Sequence, residues 1–338
     1  MDDKVVTLAI QGGGANGAYV WGVLDRLLAD DRLHIEGISG TSSGAINGAL
    51  VAQGLNEGGP ERAREKLETF WRRISEECRP QRRFWLRAMR ALWYSSRRGL
   101  STRCFHDLMN GLMQPYQFDP ATMDPLRSVI VETVDFEGLR RDDSVKLFVN
   151  ATNAKTNKIR VFSGAELSAD AVCASSCLPY LFEPVQIAGE SYWDGAFLGN
   201  PAIYPLIYEC EASDIVLVQS APMQVEELPT CASELLGRIS DVSFTSALIR
   251  EMRSIEFVSK LIDEGRIEED ARLRRVRLHT VDPASLGTPA TGSSKFDADW
   301  NALRRLRDAG SVTCDAWLRE NFDALGSRPT LDLRAAFV

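Results

Sequence analysis

Apolar residues occur along the first two hundred residues as short continuous runs that alternate with helical spacings. The short runs predict strands, and the spacings of three and four residues predict helices. Strands are predicted at Val5–Ile10, His34–Ser39, Lys146–Ala151, Ile159–Phe162, Val185–Ile187 and Ile215–Gln219, and helices at Gly17–Leu28, from Pro60 to about Ile74, and at Ala169–Cys177. This alternation predicts an α/β fold with a mostly parallel central sheet covered by helices on both faces.

The last third of the chain has a mainly helical pattern. A long amphipathic stretch runs from Leu235 to Ile262, and a short strand is predicted around Val276 to His279. Asp282 to Ser294 is rich in Pro, Gly, Ser and Thr and predicts a mobile loop. The helices after this loop are too few to fold alone, so residues 1–338 are predicted to form one domain, with a mainly helical part at 232–338.

The charge of the chain is unevenly distributed. The net charge of −8 disfavours general nucleic-acid binding. Ten arginines and two glutamates nevertheless lie between Arg72 and Arg103, which leaves −16 on the rest of the chain. In Arg82 to Arg98 the arginines alternate with aromatic and aliphatic residues. The segment 72–120 is therefore predicted to be a basic and aromatic arm over a cleft, with Arg82 to Arg98 in peripheral contact with a membrane or lipid surface. The alternative is a helix packed on the body with its arginines solvated.

The cysteines indicate a reducing environment. There are seven, scattered and without C-x-x-C pairs, which is typical of reduced thiols in a cytoplasmic protein. Cys173 and Cys177 are interpreted as buried apolar residues. We expect no metal, no organic cofactor, no signal peptide and no transmembrane helix.

A glycine-rich stretch, IQGGGANGAYVWG, follows the first predicted strand and opens the first predicted helix. Uncovered backbone amides at such a turn favour an anion. From Gly12 the stretch fits the dinucleotide pattern G-x-G-x-x-G, with Glu36 near the interval of about 20 residues expected for a ribose-binding acid. Glu36 falls within a predicted strand rather than at its end, which disfavours this alternative.

The stretch GTSSG, from Gly40 to Gly44, fits the nucleophile elbow G-x-S-x-G with Ser42 at its centre. It lies where a predicted buried strand meets a helix, as that pattern requires. Because the carboxyl ends of neighbouring parallel strands meet at one edge, the amides of Gly13 and Gly14 are expected to face Ser42. Such amides would stabilise an oxyanion formed by attack of Ser42 on an ester.

A nucleophilic serine needs a base, and the three histidines are poorly placed for that role. His34, His106 and His279 are interpreted as surface or capping residues. Asp194, in YWDGAFLGNP, follows two aromatic residues and precedes a glycine, so we expect it to be partly desolvated on a tight turn. Desolvation raises the pKa of a carboxyl group and makes the carboxylate a better base. An ordinary Asp-Gly turn is the alternative.

Taken together, these stretches resemble the patatin-like phospholipases, a family of lipid acyl hydrolases with a Ser-Asp dyad. The resemblance covers roughly residues 1–205 and includes the glycine run, the elbow GTSSGAINGAL, the block ASSCLPYLFEPVQIAGESYWDGAF and the pair Asn200-Pro201. It implies a three-layer α/β/α sandwich. It also implies site roles: Ser42 as the nucleophile, Asp194 as the base, and the amides of Gly13, Gly14 and Ala15 as the oxyanion hole.

One position departs from the family pattern. The family often has Arg or Lys before the glycine that opens the helix, and this chain has Asn16. A neutral ester, a lysolipid or an acyl thioester is therefore a candidate substrate beside a phospholipid. A thioesterase or acyltransferase with the same dyad, and a lipid-binding protein with an idle site, remain alternatives to a phospholipase or lysophospholipase.

Overall fold

The structure, a computed structural model, describes residues 3–77, 124–179, 182–225, 228, 232–270, 273–283 and 298–337. Most of the predicted arm at 72–120, including Arg82 to Arg98, lies outside these residues. His106 and all but the first two residues of the predicted loop from Asp282 to Ser294 also lie outside them.

Each predicted strand is present within one or two residues, together with one that was not predicted. The strands are β1 (Lys4–Ile10), β2 (Leu33–Gly40), β3 (Lys146–Asn153), β4 (Ile159–Ser163), β5 (Val185–Ile187), β6 (Glu190–Asp194), β7 (Asp214–Val218) and β8 (Arg277–Val281). The additional strand is β6, and it ends at Asp194. Asp194 was predicted to lie on a tight turn. It is instead the last residue of β6, and the turn begins at Gly195.

The predicted helices are also present, with several short ones between them. They are α1 (Gly17–Leu28), α2 (Ser43–Gly58), α3 (Pro60–Glu77), α4 (Asp124–Thr133), α5 (Phe136–Arg141), α6 (Ala169–Ser175), α7 (Tyr204–Glu209), α8 (Ala232–Asp263), α9 (Trp300–Asn321) and α10 (Leu333–Phe337). Within the described residues no helix is long and apolar enough to cross a bilayer.

The strands form one eight-stranded mixed sheet in the order β5-β6-β3-β2-β1-β7-β8, with β4 also paired to β3. Five neighbouring strands, β3, β2, β1, β7 and β8, are parallel to one another, as predicted. At the other end β4 and β6 run antiparallel to β3, and β5 runs antiparallel to β6. A helical crossover is not needed between antiparallel neighbours, which explains the short connections there.

Both faces of the sheet are covered. Leu8 and Ile10 of β1 point into a core formed with α1, α2, α3 and α9. Ala9, between them, points to a second core formed with α7, α8 and α10. Since successive side chains of a strand point to opposite faces, the molecule is a three-layer α/β/α sandwich. Residues that follow the carboxyl ends of β1 and β2 are therefore brought to one edge between the helical layers.

Candidate active site

The turn between β2 and α2 holds Ser42 in a strained backbone conformation. Its φ of 55° and ψ of −125° lie in a region that non-glycine residues rarely adopt. Its N–H donates to Oγ of the buried Ser175, at 2.9 Å. A β-carbon on Gly44 would lie 2.4 Å from the carbonyl oxygen of Ile10, so only glycine permits this close approach. The turn thus presents a half-buried Ser42 side chain beyond the end of the sheet.

Strand β3 brings the elbow and Asp194 together. Val149 is paired with Gly40 of β2, and Ala151, two residues further along β3, is paired with Asp194 of β6. The Asp194 side chain is 2 % exposed, and its Oδ1 accepts a hydrogen bond from the Ala196 N–H at 2.8 Å. The Ser42 hydroxyl lies close enough to lower the pKa of this carboxyl group.

Burial changes the acidity of Asp194. Desolvation raises the pKa of its carboxyl group to about 7, against the opposing effects of the Ala196 N–H and the Ser42 hydroxyl, which lower that pKa. A carboxylate with a pKa near neutrality is partly ionised at pH 7 and binds a proton well. These are the properties that a general base requires.

The predicted oxyanion-hole residues lie between β1 and α1, with different hydrogen-bonding roles. The N–H of Gly13 donates to Oγ of Ser43 at 3.1 Å. Gly14 is exposed, with a φ of 59°, and within the described part of the chain neither its N–H nor that of Ala15 has a hydrogen-bond partner. The available donors are therefore the amides of Gly14 and Ala15.

Two further side chains position this loop. Asn200 Oδ1 accepts from the Gly12 N–H at 2.7 Å, and Ser220 Oγ donates to the Gly12 carbonyl at 2.8 Å. A β-carbon on Gly12 would lie 2.6 Å from the carbonyl oxygen of Thr41, so the loop packs directly on the elbow. The sequence indicated Asn200 only through the family resemblance and gave no signal for Ser220.

Asn150 of β3 joins the two parts of the site, and sequence reasoning missed it. Its side chain is 1 % exposed. Its Oδ1 lies 2.5 Å from the hydroxyl of Thr41, next to Ser42, and its Nδ2 donates to the carbonyl oxygens of Gly195 at 3.2 Å and Gly199 at 2.9 Å. A polar residue within the apolar run KLFVNAT is the signal that indicates such a role, since a buried amide needs partners.

Asn16 is buried at the start of α1. It is 4 % exposed, and its Oδ1 has no hydrogen-bond partner among the described residues. The position at which the family resemblance led us to expect Arg or Lys thus holds a neutral side chain.

Glu36 has a structural role in β2. Its carboxylate accepts from the N–H groups of Glu211 and Ala212, each at 2.7 Å, and lies 3.5 Å from Nζ of Lys146. These contacts occupy both oxygens with protein partners, which agrees with rejecting the ribose-binding alternative.

The two described histidines, His34 and His279, lie away from Ser42. His34 is exposed and lies 3.3 Å from Asp3, as expected for a surface residue. For His279 the predicted surface or capping role is wrong: it lies in the middle of β8 and is fully buried. Its Nε2 is 3.0 Å from Asp214 Oδ1, and its Nδ1 is 3.0 Å from Thr330 Oγ1.

The described cysteines are buried and free, namely Cys173, Cys177, Cys210 and Cys314. Burial raises the pKa of the Cys173 thiol to about 11 and that of Cys177 to about 12, so both are protonated and unreactive at neutral pH. Among the described residues, no group of three His, Cys, Asp or Glu side chains could hold a metal ion.

Comparison with known proteins places the chain in a family. A sequence model of the family described as patatin-like phospholipase matches residues 8–207. The fold is similar to that of VipD from Legionella pneumophila, with 14 % sequence identity, a TM-score of 0.42 and coverage of 95 % of this chain and 67 % of that one. It is also similar to a structure of full-length SpcU with full-length ExoU from Pseudomonas aeruginosa, with 13 % identity, a TM-score of 0.29 and coverage of 99 % and 77 %.

No curated protein sequence matches the chain significantly. The match over residues 8–207 nevertheless spans more than half of the 338 residues and includes the end of β1, the elbow and Asp194. The chain belongs to the patatin-like phospholipase family and is, at the level of that family, a lipid acyl hydrolase.

Proposed function

We propose that the protein hydrolyses lipid acyl esters with Ser42 as the nucleophile and Asp194 as the general base. The observation that carries this proposal is the pairing of a strained, half-buried serine with a fully buried carboxyl group whose pKa is about 7. The strain at Ser42 costs roughly 1–3 kcal/mol and is typical of residues held for reaction.

The reaction follows from the positions of these groups. Asp194 accepts the proton of the Ser42 hydroxyl while Oγ attacks the ester carbonyl carbon. The resulting oxyanion accepts hydrogen bonds from the amides of Gly14 and Ala15, and each such donor contributes about 3 kcal/mol to lowering the barrier. The carbon–oxygen bond to the leaving alcohol then breaks, and the alcohol takes the proton from Asp194.

The acyl-enzyme is resolved by water. Asp194, ionised again, accepts a proton from a water molecule as its oxygen attacks the acyl carbon. A second oxyanion forms in the same hole, and its collapse releases the fatty acid and returns the proton to Ser42.

The absence of charge on Asn16 bears on the substrate class that we propose. Asn16 supplies no positive charge for a phosphate. We therefore expect lysolipids and neutral esters to be cleaved at rates comparable with those of diacyl phospholipids. Release of the acyl group to an alcohol or CoA in place of water would identify an acyltransferase with the same dyad.

The basic and aromatic segment from Arg82 to Arg98, outside the described residues, remains the predicted region of peripheral membrane contact. The prediction rests on sequence alone, as does a cytoplasmic location. Sedimentation with anionic vesicles, comparing wild type with the double variant Arg87→Glu/Arg90→Glu, tests the contact. Binding that is unchanged by the double substitution would contradict it.

The function is tested by following fatty-acid release from a phospholipid, a lysophospholipid and a neutral ester. Wild type is expected to release acid from at least one of them, and Ser42→Ala and Asp194→Asn are expected to lose at least 10³-fold in kcat. The exposed substitutions Ser144→Ala and Asp31→Asn are the matched controls and should keep wild-type rates. Equal rates for Ser42→Ala and wild type would contradict the proposal.

A further inference from the structure

Helix α8 carries an unusual set of side chains on its solvent side. Four large apolar residues are about half exposed there: Leu235 at 51 %, Ile239 at 53 %, Val242 at 54 % and Phe257 at 59 %. Three basic residues, Arg250, Arg253 and Lys260, are exposed on the same helix.

These seven residues form one straight stripe. They are separated by four, three, eight, three, four and three positions, and half-buried Ser246 divides the interval of eight into two steps of four. At 3.6 residues per turn they fall within an arc of about 80° and span about 38 Å of the helix axis. We call this set, Leu235, Ile239, Val242, Arg250, Arg253, Phe257 and Lys260, the α8 stripe.

The charge of the stripe differs from that of the whole chain. The chain has a net charge of −8, but each charged residue of the stripe is basic. Arg250 donates to the carbonyl and hydroxyl oxygens of Ser246 and so lies along the stripe. The nearby acid Glu264 lies 3.8 Å from Lys260, beyond the carboxyl end of α8. Half-buried Glu256 also borders this end of the stripe. The apolar side chains and the two arginines complement an anionic lipid surface.

The opposite side of α8 is fixed to the candidate active site. The ring of Phe244 packs edge-to-face on Phe197, three residues after Asp194, with centroids 5.1 Å apart. The carboxylate of Glu251 accepts from the N–H groups of Ile203 at 2.9 Å and Tyr204 at 2.5 Å. The stripe is thereby held at a defined orientation to the dyad.

We propose that the α8 stripe is a docking surface for an anionic lipid bilayer, and that it orients the enzyme on its aggregated substrate. The inference rests on the proposed function, because a lipid ester in water is found in bilayers or micelles. Isolated apolar residues are common on protein surfaces, but three in succession on one helix face, Leu235, Ile239 and Val242, are typical of an interaction site. The basic residues select an anionic surface over a neutral one.

The test measures sedimentation of the Ser42→Ala protein with phosphatidylcholine vesicles, with and without phosphatidylserine. We expect binding to the anionic vesicles that is at least tenfold stronger than to the neutral ones and that falls with added salt. Arg250→Glu/Arg253→Glu and, separately, Ile239→Asp/Val242→Asp should each weaken it at least tenfold. The charge-matched control is Arg304→Glu/Arg305→Glu on exposed residues of α9, on the other face of the sheet, which should bind like the parent.

The proposal would be overturned by equal binding to both vesicle types, by loss of binding in the α9 control to the same extent, or by unchanged binding in both stripe variants. Conversion of a dimer to a monomer by Ile239→Asp/Val242→Asp, without loss of vesicle binding, would also overturn it in favour of a second copy of the chain. With active Ser42, the stripe variants should hydrolyse a soluble monomeric ester at the wild-type rate. A wild type inactive on that ester would instead contradict the proposed function and leave the vesicle result standing on its own.

Discussion

Burial of one carboxyl group links the chemistry of the site to pH. The pKa of Asp194 is about 7, and in the proposed mechanism only its ionised form accepts the proton of Ser42. Hydrolysis of a soluble ester should therefore rise about tenfold per pH unit below pH 7 and level off above it. The measurement is kcat/KM from pH 5 to pH 9, and a profile flat across pH 6 to 8 would contradict the assignment of Asp194 as the base.

The same burial reduces the stability of the folded protein. A folded-state pKa raised from 3.8 to about 7 means that the native state binds more protons than the unfolded state between those pH values. The contribution of Asp194 to stability therefore falls as pH rises through this window. A shift of about 3 units corresponds to at most about 4 kcal/mol.

Asp194→Asn should consequently stabilise the protein at alkaline pH. Asparagine keeps an acceptor for the Ala196 N–H and carries no charge to desolvate. We expect the free energy of unfolding to increase by about 1–4 kcal/mol at pH 8 and by little at pH 4, measured by urea denaturation. The exposed Asp31→Asn serves as control, and a destabilised Asp194→Asn at pH 8 would contradict the account.

At the level of structural elements, Asn150 connects the turn that holds Thr41 to the turn that follows Asp194. Asn150→Ala removes one partner of the Thr41 hydroxyl, which also donates to the Gly199 carbonyl oxygen, and the amide donor to the Gly195 and Gly199 carbonyl oxygens. A small displacement of Ser42 from Asp194 should lower kcat about 10- to 100-fold with little change in KM. Asn150→Asp, with a negative charge close to Asp194, should move the pH profile to higher pH.

The control for this prediction is Asn153→Ala on the same strand. Asn153 is also buried, but its side chain bonds to Glu190 and to the amides of Lys155 and Thr156, away from the dyad. The Asn153→Ala substitution should lower the free energy of unfolding without moving the pH profile of hydrolysis. If the pH profile of hydrolysis by Asn150→Asp matches that of wild type, Asn150 does not position the dyad.

The sequence correctly predicted the elements whose pattern of apolar residues lies within one short contiguous stretch. The parallel strands are continuous apolar runs, and the elbow is a contiguous motif that occurs between a strand and a helix. Both could therefore be predicted from the sequence. Strand β6, with the sequence ESYWD, is short and mostly polar or aromatic, and it was missed. Ser175, which accepts from the Ser42 N–H, is 133 residues distant along the chain, so no local pattern indicates that contact.

At the scale of the whole molecule, His279 lies in the interior, although its neighbours in the sequence predicted a surface position. Its charged neighbours in RLRRVRLHTVD suggested a surface position, but the ring is covered by Trp317 of α9 and contacts Thr330 near the carboxyl terminus. Burial favours the neutral form of Asp214, but hydrogen bonds from His279, Arg277 and the Gly326 N–H outweigh it and hold the pKa of Asp214 well below its usual range. This cluster joins β7, β8 and the chain after α9.

Loss of that carboxylate should weaken the whole fold without altering the site. Asp214→Ala leaves Arg277 and His279 without their partner and should lower the free energy of unfolding by about 3–5 kcal/mol at pH 7. Asp315→Ala, which breaks partly exposed pairs with Arg26 and Arg319, should have a much smaller effect. Denaturant titration compares the two, and equal effects would show that the buried cluster does not carry this stability.

The most direct test of the account is the intact mass of the protein after exposure to a fluorophosphonate, which reacts only with an activated serine. Wild type should gain one adduct, Ser42→Ala should gain none, and Asp194→Asn should react at least 10²-fold more slowly. An adduct that persists in Ser42→Ala, or a folded wild type that never reacts, would contradict the assignment of Ser42 and Asp194 as a working dyad.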